Sequence, residues 1–268
     1  MKIYDCVQFF NEEHILELRI NILNKFVDFF VISESTTDHQ GNPKKLNFNL
    51  SKFKKYENKI IYVIVDDTSE AIKKPHTGGE SLVEQHQRNS IMKGLKNCRD
   101  DDLIILSDVD EIPDLTKLNQ FNKKNKYAVF SQKTFAYKLN LLNNAENNWH
   151  GSKMCLKKHL KSPQWLRNLK FKKYPFWRID KPRNLQIIEN GGWHFAYLLD
   201  SQGISKKIKS FAHGEDNKKD NTDIDKIEKK MEKLLHPTKG FGLKKIEIDE
   251  TFPNYIIENR EKLKGWII

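Results

Sequence analysis

Over the first 110 positions, short apolar runs alternate with longer amphipathic ones. Residues 2–10 (KIYDCVQFF), 28–35 (DFFVISES), 59–67 (KIIYVIVDD) and 101–111 (DDLIILSDVDE) are apolar runs too short for helices, the first followed by Asn11 and Glu12 and the others closing on polar or acidic residues. Their length and their β-branched and aromatic content predict strands buried on both faces. Between them, 14–26 (HILELRINILNKF) sets Ile15, Leu18, Ile22 and Leu23 on one helical face, and 80–97 gathers Leu82, Gln85, Asn89, Met92 and Leu95 near one side of a second helix. Buried strands alternating with helices predict an α/β fold, a mainly parallel, Rossmann-like sheet flanked by helices.

After Pro113 the texture changes to a strand-like stretch at 127–142, a turn at Trp149-His150-Gly151, a basic stretch at 157–173, and GGWHFAYLL at 191–199. A charged helix with a polar approach follows at 215–235. The expected organisation is a catalytic domain over 1–215, with a donor half over 1–115 and an acceptor-side half over 116–215, then a charged helical C-terminal extension over 216–268.

Open parallel sheets bind ligands beyond the carboxyl ends of their strands. The polar residues at those ends are Asn11 and Glu12, Glu34 and Ser35, Asp66 and Asp67, and Asp108 and Asp110. The sharpest of these sites is LIILSDVDEIP, an apolar strand running into two aspartates one residue apart, with Glu111 and Pro113 behind them. Carboxylates two apart in an extended segment point to the same side, so Asp108 and Asp110 can address one ion. Hard cations such as Mn²⁺ and Mg²⁺ prefer such oxygens, and the ion would neutralise charge on a departing diphosphate.

Composition narrows the setting. A chain of 268 residues with 38% hydrophobic content can bury one full core. The net charge of +11 attracts polyanions, but the lysines are spread through many segments, which reads as a solvated surface. No nucleic-acid partner is expected, while peripheral contact with an anionic membrane is compatible with this charge. Cys6, Cys98 and Cys155 are odd in number and lack CxxC spacing, which argues against a disulfide framework and a zinc site. With no signal-like N-terminus and no apolar run long enough for a membrane span, the expected location is cytoplasmic.

Taken together and in order, IYDCVQFFNEE, DFFVISESTTDHQGNPKKL, KIIYVIVDD, QRNSIMKGL, DLIILSDVDEIP and GGWHFAYL resemble glycosyltransferase family 17 over roughly residues 1–215. The resemblance implies a GT-A-type fold, an inverting transfer from a UDP-sugar of the UDP-N-acetylglucosamine kind, and Mn²⁺ or Mg²⁺ at Asp108 and Asp110. The other partner is then a glycan or lipid-linked saccharide acceptor. Gln87, Arg88 and Asn89 resemble the family's QRN. Arg88 facing the cleft would fork onto a diphosphate, and facing outward it would pair with Glu84 one helical turn earlier.

The surroundings of His194 and His213 also match the family, which points to His213 as a metal ligand or phosphate contact and to His194 near the donor. Trp193 either stacks on a sugar or base or belongs to the core. An inverting transfer needs a base for the acceptor hydroxyl, and Glu215 and Asp200 are both eligible. The competing reading is a nucleotide-sugar or nucleotide-diphosphate hydrolase on the same sheet, with a non-enzymatic polyanion-binding module a distant third.

Overall fold

The computed structural model describes the chain except at residues 71, 73–80, 147, 173, 174, 176, 179–181, 184 and 211–218. Strands β1 (Ile3–Gln8), β2 (Phe29–Ser35), β3 (Ile60–Val65) and β4 (Leu103–Ser107) form a parallel block in the order β3-β2-β1-β4. Helix α1 (Glu13–Leu23) links β1 to β2, and α2 (Leu82–Gly94) precedes β4. All five residues of β4 are buried, as a strand covered on both faces requires. On one face, Leu16, Ile20 and Leu23 of α1 pack with Val7, Phe30, Ile32 and Ile105. On the other, Ile91 and Leu95 pack with Val31, Val63, Ile104 and Leu106. Ser81 starts α2 by accepting the Val83 N–H through its side chain. This is the expected mainly parallel α/β sheet flanked by helices.

The second half extends that sheet through β5 (Glu111–Pro113), β6 (Tyr127–Ala136), β7 (Leu141–Leu142) and β8 (Trp149–Leu156). The turn expected at Trp149-His150-Gly151 is instead the start of β8, which lies antiparallel between β4 and β6. Its residues from Gly151 to Leu156 are all buried, and Ser107 Oγ bonds Ser152 Oγ at 2.7 Å between neighbouring strands. Four successive residues that are not apolar, His150, Gly151, Ser152 and Lys153, conceal this strand from hydrophobic periodicity.

The basic stretch then contains α3 (Pro163–Asn168), begun by Pro163 and by Ser162, whose side chain accepts the Trp165 N–H. Strands β9 (Leu185–Ile188) and β10 (Gly192–Ala196) both run parallel to β6, and β10 also pairs antiparallel with β5. Gly192 sits at φ +140°, and a Cβ there would come within 2.2 Å of the Ile112 carbonyl, so only glycine lets β10 approach β5 this closely.

Helices α4 (Ser201–Ser210), α5 (Lys219–Thr222) and α6 (Ile224–Glu232) follow, and Ile204, Ile208 and Ile227 form a smaller core with Tyr137 and Leu141. Beyond β11 (Lys244–Lys245), α7 (Asn254–Glu258) and its approach place Ile248, Phe252 and Ile256 in the same core as α1. All three cysteines are free thiols. Among the described residues no helix is long and apolar enough to cross a membrane.

Candidate functional site

Beyond Ser107 the chain turns at once, the Glu111 N–H donating to the Asp108 carbonyl at 3.0 Å. Asp108 and Asp110 therefore sit on a turn and not on an extended segment as their spacing suggests. Val109 between them is buried in the core, and both carboxylates line one cleft of about 300 Å³.

Two buried groups fix this turn from beneath. Arg19 of α1, fully buried, donates from Nε and Nη2 to the Asp5 carboxylate at 2.7 and 2.6 Å. Its Nη1 donates to the Glu111 carbonyl at 2.6 Å and reaches the Asp108 and Val109 carbonyls at 3.3 Å. The rigid guanidinium fork thus binds strand β1 to the backbone of the turn. The Glu111 carboxylate, 1% exposed, accepts the Asp108 N–H at 3.0 Å and the Trp149 indole N–H at 2.6 Å.

Above the turn, each aspartate faces cations. Asp108 accepts from Arg167 of α3 at 2.6 Å and from Arg88 of α2 at 3.4 Å. Arg88 also bonds Glu84 at 2.5 Å and Gln164 at 2.6 Å, so both orientations considered for it from the sequence are present at once. Asp110 accepts from Lys207 of α4 at 3.0 Å and lies 3.7 Å from His194 Nε2, whose ring stacks on Trp149 at 5.0 Å.

Burial pushes the Asp108 carboxyl up, but Arg167 and Arg88 outweigh it and hold the group well below the usual carboxylate range. Asp110 is lowered in the same way, with burial and Asp108 opposed by Lys207 and His194. Burial would lower Lys207, yet Asp110 and Glu12 raise it. Behind the cleft, burial and then Arg167 push Lys153 down to about 7, and its ammonium donates to the Arg167 carbonyl. Among the described residues lining the cleft are five acids (Glu12, Glu84, Asp108, Asp110, Glu111) and three strong bases (Arg88, Arg167, Lys207).

Other residues expected at the site are spread more widely. Glu12 lines the cleft, its carboxylate accepting the Phe10 and Asn11 N–H groups, whereas Asn11 is half-buried outside the lining. Glu34 lies outside the lining and belongs to the scaffold, because its buried carboxylate takes bonds from Lys44, Tyr62 and the Asn47 and Phe48 N–H groups. Asp67 is on the surface, lowered to about 2 by Lys93 and His86. Asn89 is exposed and accepts the Gln164 N–H at 3.0 Å, which fastens the start of α3 to α2.

Trp193 is buried in the core and donates to the Thr251 carbonyl at 3.1 Å. Neighbours on a strand point to opposite faces, so with His194 in the cleft Trp193 faces away from it. Asp200, outside the cleft lining, caps α4 by accepting the Gly203 N–H at 2.7 Å. His213 and Glu215 lie outside the described residues.

Arg19, Arg167 and Lys207 went unmarked in the sequence, and Trp149 was marked only as a turn residue. Arg19 carries a signal, since a charged residue at 19 interrupts the apolar stretch of α1 and has to be paired when buried. Arg167 and Lys207 look like ordinary members of basic segments until α3 and α4 are brought to the turn.

The family model described as glycosyltransferase family 17 matches residues 1–234. Enzymes named beta-1,4-mannosyl-glycoprotein 4-beta-N-acetylglucosaminyltransferase from Rattus norvegicus and Homo sapiens are each 26% identical to the chain over 116 residues, and that of Mus musculus 25%. These matches cover 42% of this chain and 22% of each relative.

Proposed function

The chain belongs to glycosyltransferase family 17, and on that footing we propose that it transfers N-acetylglucosamine, with inversion, from UDP-N-acetylglucosamine to a saccharide hydroxyl with the help of a divalent cation. The observation that carries this reading is the meeting of two turn carboxylates with Arg88, Arg167 and Lys207 in one cleft at the end of β4. The donor set fits a hard cation, because Asp108 and Asp110 offer carboxylate oxygens on one wall. Among the described residues no trio of His, Cys, Asp or Glu is placed to hold a metal, so phosphate oxygens and water would complete the coordination.

A bound Mn²⁺ or Mg²⁺ supplies Lewis-acid stabilisation of the leaving diphosphate. Arg88 and Arg167 bind its remaining oxygens, and the Arg19 and Glu111 anchors hold the two aspartates in place as charge develops. His194, braced by Trp149, closes the wall beside Asp110. In this assignment 1–115 supplies most of the donor site, and 116–215 completes it and presents the acceptor, a glycan or lipid-linked saccharide.

The test is a thermal-shift panel of UDP-, GDP-, CMP- and dTDP-sugars with and without Mn²⁺. A ligand that binds the native state raises the melting temperature, and a selective rise with UDP-N-acetylglucosamine plus Mn²⁺ is expected. Product analysis separates transfer from hydrolysis, since steady UDP release without acceptor would favour the hydrolase.

A further inference from the structure

Resting on the nucleotide-sugar reading above, we propose that Lys207 is an internal stand-in cation. It holds Asp110 in the free protein, moves to the diphosphate when the nucleotide binds, and so makes metal binding depend on nucleotide.

The geometry behind this is an occupied carboxylate. Lys207 Nζ lies 3.0 Å from Asp110 Oδ2, with the two side chains only 11% and 13% exposed. A divalent cation on Asp110 at that spacing would set two like charges side by side between largely buried side chains, where such repulsion is weakly screened. Asp108 is held in the same way by Arg167 and Arg88. Nucleotide-free protein thus offers a metal carboxylates that are already neutralised.

A diphosphate removes the conflict by giving the displaced cations an anion of their own. Of the three, Lys207 is best built to move. Its ammonium sits on a flexible four-carbon stem and lies over the Tyr197 ring, 5.7 Å from the centroid. Arg88 and Arg167 are instead planar forks whose donors hold a fixed geometry. Because linkage is reciprocal, nucleotide should strengthen metal binding by the same factor as metal strengthens nucleotide binding.

The experiment uses the full chain and two probes, Mn²⁺ followed by the electron paramagnetic resonance of the free ion, and UDP followed by calorimetry. Wild type should take up Mn²⁺ weakly alone and at least about tenfold more tightly with UDP, an ordinary size for coupling between two sites. Lys207→Met, which keeps the stem and removes the charge, should bind Mn²⁺ about tenfold more tightly than wild type without UDP, and UDP about tenfold more weakly with saturating Mn²⁺. Lys207→Arg, which keeps the charge, should still mask Asp110 and bind Mn²⁺ as weakly as wild type without UDP. Lys206→Met, at the exposed neighbouring residue, controls for the loss of one charge.

If Lys207→Met binds Mn²⁺ no better than wild type without UDP, or if its UDP affinity is unchanged, the stand-in role is wrong. If wild type binds no UDP at any Mn²⁺ concentration, the nucleotide-sugar reading fails and the handover with it. The nucleotide-free Mn²⁺ titration still reports separately whether Lys207 masks Asp110.

Discussion

Two ion-pair networks lie back to back across the turn at 108–110, and water reaches only one of them. Beneath the turn, Arg19 and Asp5 are both 0% exposed, and the guanidinium is saturated by a carboxylate and three main-chain carbonyls. Above it, Asp108 is 35% exposed and shares two arginines with Glu84, Gln164 and Glu111. The same chemical pair serves as a fixed anchor when sealed and as an exchangeable contact when a cleft opens beside it. Breaking a sealed pair leaves a charge with no solvent to receive it, whereas an open one can trade its partner for a ligand.

The largest expected effect tests the sealed network. Arg19→Met should destabilise the fold by about 3–5 kcal/mol in denaturant unfolding, because it leaves Asp5 buried without its counter-charge. Adding Asp5→Leu should recover most of that loss, and a double variant no more stable than the single one would show that the carbonyl bonds matter more than the pair. Next, Asp110→Asn should lower transfer about 10²- to 10³-fold while costing clearly less stability than Arg19→Met. Loss of both together would place Asp110 in the scaffold and erase the distinction drawn here.

A smaller change is expected from Arg167→Lys, which keeps the charge but loses the fork. UDP affinity should fall by about 1.5 kcal/mol in calorimetry, with unfolding little altered. The smallest effect belongs to a third, surface network. Asp67 is lowered to about 2 by Lys93 and then His86, so the stability it adds is complete above the ordinary carboxylate range and is lost as pH falls toward 2. Asp67→Asn should therefore cost under about 1 kcal/mol at neutral pH, and its unfolding curve should converge on wild type in acid.

The parallel block was legible because its strands and helices are contiguous runs with clear periods. The predicted strand at 101–111 contains β4, and the helix at 80–97 contains α2. Strand-end logic singled out the DVD aspartates, the resemblance to the family's QRN singled out Arg88, and all three line the cleft. What stayed hidden depends on contacts distant in sequence. Arg167 meets Asp108 across 59 positions and Lys207 meets Asp110 across 97, and no local pattern encodes such pairs. Trp193 shows an avoidable confusion, since the two-residue period of a strand lets only one of Trp193 and His194 face the cleft. Glu34 and Asp67 share strand-end positions with the cleft aspartates, but Glu34 is bound by four donors and Asp67 by two.

The antiparallel strand at Trp149–Leu156 has a consequence for synthesis on the ribosome. Until those residues emerge, the segment ending at Ser107 has a bare edge where Leu103–Leu106 will later pair, and nothing joins it to Tyr127–Val129. Lys207 is translated later still, so the nascent chain carries the acidic turn before all its counter-ions exist. An exposed strand edge invites pairing with other chains, which makes this interval the one in which misassembly should concentrate.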